Sequence, residues 1–107
     1  MSLVLEIAKE AALRRVADRV RRLDRTYVTR WIAGDLWIVD SLARRYGREA
    51  KAWKGTVLET FDALTPDDVL AACRRARPDL ADLWDTPEAR TKVEAEWRRG
   101  RALVENL

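Results

Sequence analysis

The 107-residue sequence contains no histidine and no glutamine, and it has a single cysteine and a single asparagine. Without histidine, the chain lacks the usual general base near neutral pH and the commonest protein ligand of zinc. A lone cysteine, Cys73, forms neither an internal disulfide nor a thiolate metal cluster. Its neighbours Ala71 and Ala72 indicate that it is a small packed residue.

Other residues that usually mark an active site are also scarce. Ser2 and Ser41 are the only serines, and the four glycines form no phosphate-binding loop. Three aspartates recur every third residue at Asp79, Asp82 and Asp85, which is compatible with a hard cation such as magnesium. We favour roles at helix starts, where the helix dipole stabilises acids by about 0.3 to 1 kcal/mol each. The sequence therefore predicts no enzyme, no metal, no cofactor and no small-molecule substrate.

Composition predicts one soluble domain over residues 1–107. Apolar residues make up 48% of the chain and charged residues 36%, which is typical of a folded globular protein. The opening apolar run is interrupted by Glu6, so we expect no signal peptide, no membrane segment and a location in the cytoplasm or within a nucleoprotein particle. The scarcity of thermolabile residues resembles proteins of thermophiles, although a GC-rich genome produces a similar bias.

Apolar residues repeat with the period of a helix along most of the chain, which predicts an all-α bundle of four to five helices. Thr65-Pro66-Asp67-Asp68 and Thr86-Pro87-Glu88 each combine a capping hydroxyl, a first-turn proline and an acidic residue, a pattern typical of helix starts. Gly100 is expected to fray or bend the last helix. The predicted segments are 3–23, 50–64, 66–77, a short helical turn at 79–84, and a final helix from 87 through Trp97.

The segment 26–39 allows two interpretations. Its β-branched and aromatic residues flank Ala33-Gly34-Asp35, so a β-hairpin in an α+β fold is one alternative. We favour a helix with an apolar stripe from Val28 to Tyr46 that ends at Gly47. In that helix, Asp35 falls within the apolar stripe and needs a partner such as an arginine of another helix, whereas in the hairpin turn it faces solvent.

Arginine supplies 17 of the 21 basic residues, and many of these form four clusters near predicted helix C-termini: Arg21, Arg22 and Arg25; Arg44, Arg45 and Arg48; Arg74, Arg75 and Arg77; and Arg98, Arg99 and Arg101. A cation at that position interacts favourably with the helix dipole, which accounts for most of these clusters. It does not account for Arg14, Arg15 and Arg19 in the middle of the first helix, where only Glu10 and Asp18 are available at helical spacing. Residues 1–54 carry 13 basic and 7 acidic groups, whereas residues 55–107 carry 8 and 11, so one half of the chain is basic.

Five tryptophans are present, and Trp31, Trp53 and Trp97 fit a helical core. Trp37 lies off the apolar stripe, on the same side as Arg30 and Arg44, and is a candidate for stacking on a base.

We therefore predict a protein that binds DNA or RNA through its phosphates without strong sequence specificity, as a coating or packaging protein or as a subunit of a nucleoprotein complex. The alternative is a protein-interaction or self-assembly module that forms a homo-oligomer or a larger assembly. In it, the basic half of one chain meets the acidic half of another, and tryptophans anchor the interface. The predicted nucleic-acid site comprises Arg14, Arg15, Arg19, Arg22, Arg30, Trp37 and Arg44.

Overall fold

A computed structural model describes residues 3–34, 36 and 54–106 of the chain, and in these residues the fold is all-α, as the sequence predicts. A short 3₁₀ turn, Pro78–Leu80, precedes the fifth of the α-helices. The helices of the described part are α1 (Leu3–Arg21), α2 (Arg25–Ile32), α3 (Lys54–Ala63), α4 (Pro66–Ala76), α5 (Ala81–Trp84) and α6 (Pro87–Glu105).

Local hydrogen bonds explain where the helices begin. The Thr65 hydroxyl accepts from the backbone N–H of Asp68, and the Asp68 carboxylate accepts from the backbone N–H of Thr65, so a capping box starts α4. The Thr86 hydroxyl caps α6 through the N–H of Ala89. Both starts confirm the sequence prediction.

The core lies around α4, which packs against both α1 and α6, and α2 is seated on α6. Trp31 and Trp84 meet edge to face at its centre, with ring centroids 6.0 Å apart. Cys73 is fully buried beside them in the same core, which confirms its packing role. Phe61 and Trp97 form a second aromatic contact between α3 and α6. Trp53 lies outside the described residues.

The structure excludes the hairpin interpretation of segment 26–39 and confirms the helical interpretation for its first part only. Residues 26–32 are helical, so the first strand of the proposed hairpin does not form. The predicted continuous helix from Val28 to Tyr46 is also wrong, because α2 ends at Ile32. Gly34 has φ = 101°, a left-handed conformation that glycine adopts readily and that stops a helix. Asp35 and residues 37–53 lie outside the described part.

A second correction concerns Gly100, which does not fray the end of the last helix. Helix α6 continues to Glu105, and Gly100 is buried inside it. Glycine costs a helix interior about 1 kcal/mol relative to alanine. Val104, one turn further on, is 1% exposed, and its burial offsets that cost.

Candidate nucleic-acid interface

A cleft of about 340 Å³ runs between α1 and α4. Small side chains at Ala17, Ala72 and Ala76 leave this space between the two helices, and Leu13 adds an apolar surface. Charged residues complete its lining. We call this site the basic cleft, defined by Glu10, Leu13, Arg14, Ala17 and Arg21 of α1 and by Ala72, Arg75 and Ala76 of α4.

Three guanidinium groups reach the basic cleft from two helices. Arg14 and Arg21 are two helical turns apart on one face of α1, and Arg75 comes from α4. Arg21 is bound by Asp18, with Nη1 2.7 Å from Oδ1. Arg14 and Arg75 are exposed and form no ion pair with any residue in the described part of the chain. The cleft therefore holds two cations whose charge no described carboxylate neutralises.

Glu10 is the one acidic residue of the cleft lining. The pair between Glu10 and Arg14 that helical spacing allows is not formed. The acidic residue of the first turn, Glu6, pairs instead with Lys9 at 3.7 Å. The cleft thus keeps an excess of positive charge.

Several other arginines are held by aspartates far away in the sequence. Arg25 binds Asp82 through two hydrogen bonds, and Arg101 binds Asp62 through Nε at 2.6 Å and Nη2 at 3.2 Å. Hydrogen bonds from these guanidinium groups lower the pKa of Asp82 and of Asp62. The further pairs of this kind are Arg74 with Asp85 and Arg90 with Asp67.

Arg77 has a different task at the end of α1. Its Nη1 donates to the backbone carbonyls of Val20, at 3.3 Å, and Leu23, while Nε and Nη2 bind Asp79. Carbonyls at a helix C-terminus have no partner within the helix, so Arg77 satisfies α1 from another part of the fold. The sequence predicts instead that Arg77 acts at the end of its own helix. Asp79, Asp82 and Asp85 are each explained by an arginine partner.

The last arginine cluster, Arg98, Arg99 and Arg101, was predicted to lie at the end of its helix, and this prediction is wrong. Because α6 continues to Glu105, these residues precede its final turn. Arg101 is held by Asp62 and by Glu105, whose Oε2 lies 2.9 Å from Nη1. Side-chain carboxylates, rather than terminal carbonyls, therefore position it.

The predicted site residues of α1 do not share one face. Arg15 and Arg19 lie about 100° and 140° around the helix from Arg14, away from the basic cleft. Arg15 and Arg22 are exposed, whereas Arg19 is half-buried and its buried Nε has no hydrogen-bond partner among the residues that the structure describes. Arg30 is exposed in the last turn of α2, outside the cleft lining. Trp37 and Arg44 lie outside the described residues, so their alignment with Arg30 stays a prediction.

Arg21 and Arg75, the other two arginines of the cleft, are not among the predicted site residues, because both belong to arginine clusters near predicted helix ends. The spacing of Ala72, Arg75 and Ala76 on one face of α4 was the available signal, because small residues beside an arginine allow a second helix to come near.

A polar cluster inside the core was also missed. The Trp31 Nε1–H donates to Glu96 Oε1 at 2.6 Å, and Lys92 Nζ lies 4.0 Å from the same oxygen. Lys92 is 5% exposed and Glu96 is 2% exposed, so neither group is accessible to a substrate. The cluster joins α2 to α6 and positions Trp31 in the core.

No metal site or reactive thiol accompanies the cleft in the described part of the chain. There, no group of three or more cysteine, aspartate or glutamate side chains is arranged to hold a metal ion. Burial raises the pKa of Cys73 to about 12, so its thiol stays protonated at neutral pH. Among the described helices, none is long and apolar enough to cross a membrane.

Comparisons with known protein families, with curated proteins and with solved structures find no match for this chain.

Proposed function

We propose that this protein is a non-enzymatic nucleic-acid-binding protein that holds the phosphate backbone of DNA or RNA in the basic cleft. The observation that supports this proposal is the position of Arg14 and Arg75. They reach one cleft from two helices, and neither is paired with a carboxylate in the described residues. A guanidinium group presents a fork of donors that matches the oxygens of a phosphate.

Among the described residues, the tryptophans favour recognition of the backbone over recognition of bases. Trp31 and Trp84 are buried against each other, and Trp97 packs on Phe61 while donating to its carbonyl. None of these rings is free to stack on an unpaired base. Contacts to phosphates carry no sequence information, so we propose binding without strong sequence preference, as in a coating protein or a nucleoprotein subunit.

Two double variants of equal charge test the proposal. Arg14→Gln/Arg75→Gln removes the free guanidinium groups of the cleft, whereas Arg90→Gln/Arg98→Gln removes two exposed arginines of α6 outside it. Both lower the net charge by the same amount. Fluorescence anisotropy with mixed-sequence duplex DNA and single-stranded RNA at low salt measures the affinity of each.

The cleft variant is expected to bind at least about tenfold more weakly, because hydrogen bonds to charged groups contribute roughly 1.5–3 kcal/mol each. The α6 variant is expected to retain most of the affinity. Circular dichroism confirms that both remain folded. Absence of binding by the unsubstituted protein at low salt refutes the function, and equal losses in the two variants refute the cleft as its site.

A further inference from the structure

The exposed face of α1 begins with an apolar surface. Leu3 is 74% exposed, Val4 64% and Ile7 59%, on the first two turns of the helix. Three large apolar side chains clustered at one helix end are a common mark of an interface. The same face then continues into the basic cleft.

One stripe of this face has the spacing of a helix–helix contact. Its members alternate four- and three-residue steps, the heptad spacing of helices that pack lengthwise. Two of them, Glu10 and Arg14, carry opposite charges and form no ion pair within the described residues. We call this set the α1 stripe, and it consists of Leu3, Ile7, Glu10, Arg14, Ala17 and Arg21.

Charge complementarity selects the orientation of a second copy on this stripe. In an antiparallel pair related by a twofold axis, Glu10 of one copy faces Arg14 of the other, and the symmetry forms this contact twice. The same register places Ile7 opposite Ala17, and Leu3 opposite the aliphatic part of Arg21. A parallel pair sets Glu10 against Glu10 and Arg14 against Arg14, which is unfavourable.

We propose that a second copy of this chain binds along the α1 stripe in this antiparallel register and covers the basic cleft. Self-association and nucleic-acid binding then compete for Arg14, so the dimer is a closed form of the binding protein. The dimer is inferred from the α1 stripe alone, whereas the competition between dimer and nucleic acid for Arg14 rests on the proposed function.

Analytical ultracentrifugation without nucleic acid tests the dimer. The unsubstituted protein is expected to show a monomer–dimer equilibrium that shifts with concentration. Glu10→Arg and Arg14→Glu each place like charges across the twofold axis, so each is expected to weaken the dimer about tenfold. The double variant Glu10→Arg/Arg14→Glu restores both contacts and the dimer.

Arg98→Glu on α6 is the matched control, since it changes the charge outside the stripe and leaves the dimer intact. A monomer at every concentration overturns the proposal. A double variant that dimerises no better than the single variants overturns the register and with it the proposal.

Glu10→Arg also separates the dimer from the proposed function. This variant loses self-association but makes the cleft more basic, so its affinity for duplex DNA is expected to rise. Addition of duplex DNA to the unsubstituted protein is expected to dissociate the dimer. A dimer that neither binds duplex DNA nor dissociates in its presence refutes the nucleic-acid function alone. A protein that is monomeric at every concentration but binds duplex DNA refutes the dimer alone.

Discussion

The guanidinium group of Arg77 is expected to contribute more to stability than that of any exposed, ion-paired arginine near it. Its side chain is 19% exposed, and it binds two backbone carbonyls at the end of α1 as well as Asp79. Substitution by methionine keeps most of the aliphatic stem and removes these hydrogen bonds. It leaves the Trp84 Nε1–H bonded to the backbone carbonyl of residue 77.

The magnitude follows from the loss of partners at a half-buried site. Hydrogen bonds to a charged donor contribute about 1.5–3 kcal/mol. The Leu23 carbonyl loses its guanidinium donor, whereas the Val20 carbonyl keeps the backbone N–H of Leu23 at 3.2 Å. We therefore expect Arg77→Met to lower the free energy of unfolding by about 2–3 kcal/mol. Arg74→Met is the control, because Arg74 and Asp85 are about half exposed. A surface pair of this kind contributes about 0–1 kcal/mol.

Urea denaturation followed by tryptophan fluorescence measures both variants. The reasoning predicts that Arg77→Met lowers the midpoint clearly more than Arg74→Met, with an unchanged dependence of the free energy on urea. Equal losses in the two variants, or a loss below about 0.5 kcal/mol for Arg77→Met, refute the capping role.

Three further predictions concern other features of the fold. Gly34→Ala is expected to destabilise the protein by about 1 kcal/mol in thermal denaturation, because φ = 101° strains any residue with a Cβ; no loss contradicts the left-handed helix end. Cys73 is expected to resist a thiol reagent at neutral pH until denaturant is added; rapid labelling of the folded protein contradicts its burial. The lowered pKa of Asp62 stabilises the fold above the carboxyl's unfolded pKa of about 4, and this contribution is lost as the pH falls through the folded pKa. Asp62→Asn is therefore expected to flatten the acid limb of the stability profile, and an unchanged limb contradicts the Arg101 pairing.

The starts of α4 and α6 could be predicted from the sequence because their determinants are local. The capping hydroxyls of Thr65 and Thr86 act on N–H groups three residues away. Helix ends could not be predicted in this way, because glycine ends a helix at one position and lies inside a helix at another. Gly34 is exposed and ends α2, whereas Gly100 is buried and α6 continues through it. Burial beyond the glycine decides between these outcomes, and it is a tertiary property.

The candidate site was predictable only in part for a similar reason. Arg14 was identified because helical spacing left its charge poorly compensated. Arg75 was missed because it follows Arg74 and nearly adjoins Arg77, and a cluster at a helix end has a ready explanation. In the fold these three arginines have three roles, since Arg74 pairs with Asp85, Arg77 caps α1 and Arg75 lines the basic cleft.

The buried cluster also lay beyond sequence reasoning. Trp31 and Glu96 are 65 residues apart, and no local pattern indicates that an indole N–H meets a carboxylate in the core. The contact depends on how α2 packs on α6. Periodicity predicts which face of each helix is buried, but it does not predict which residues on two buried faces meet.

The salt dependence of nucleic-acid binding tests the central claim most directly. The logarithm of the affinity for duplex DNA falls with the logarithm of salt concentration by about 0.9 for each phosphate neutralised. The account predicts a steep slope for the unsubstituted protein and a slope shallower by about 1.8 for Arg14→Gln/Arg75→Gln, since two phosphate contacts are lost. An identical slope in the two proteins would contradict a phosphate site in the basic cleft.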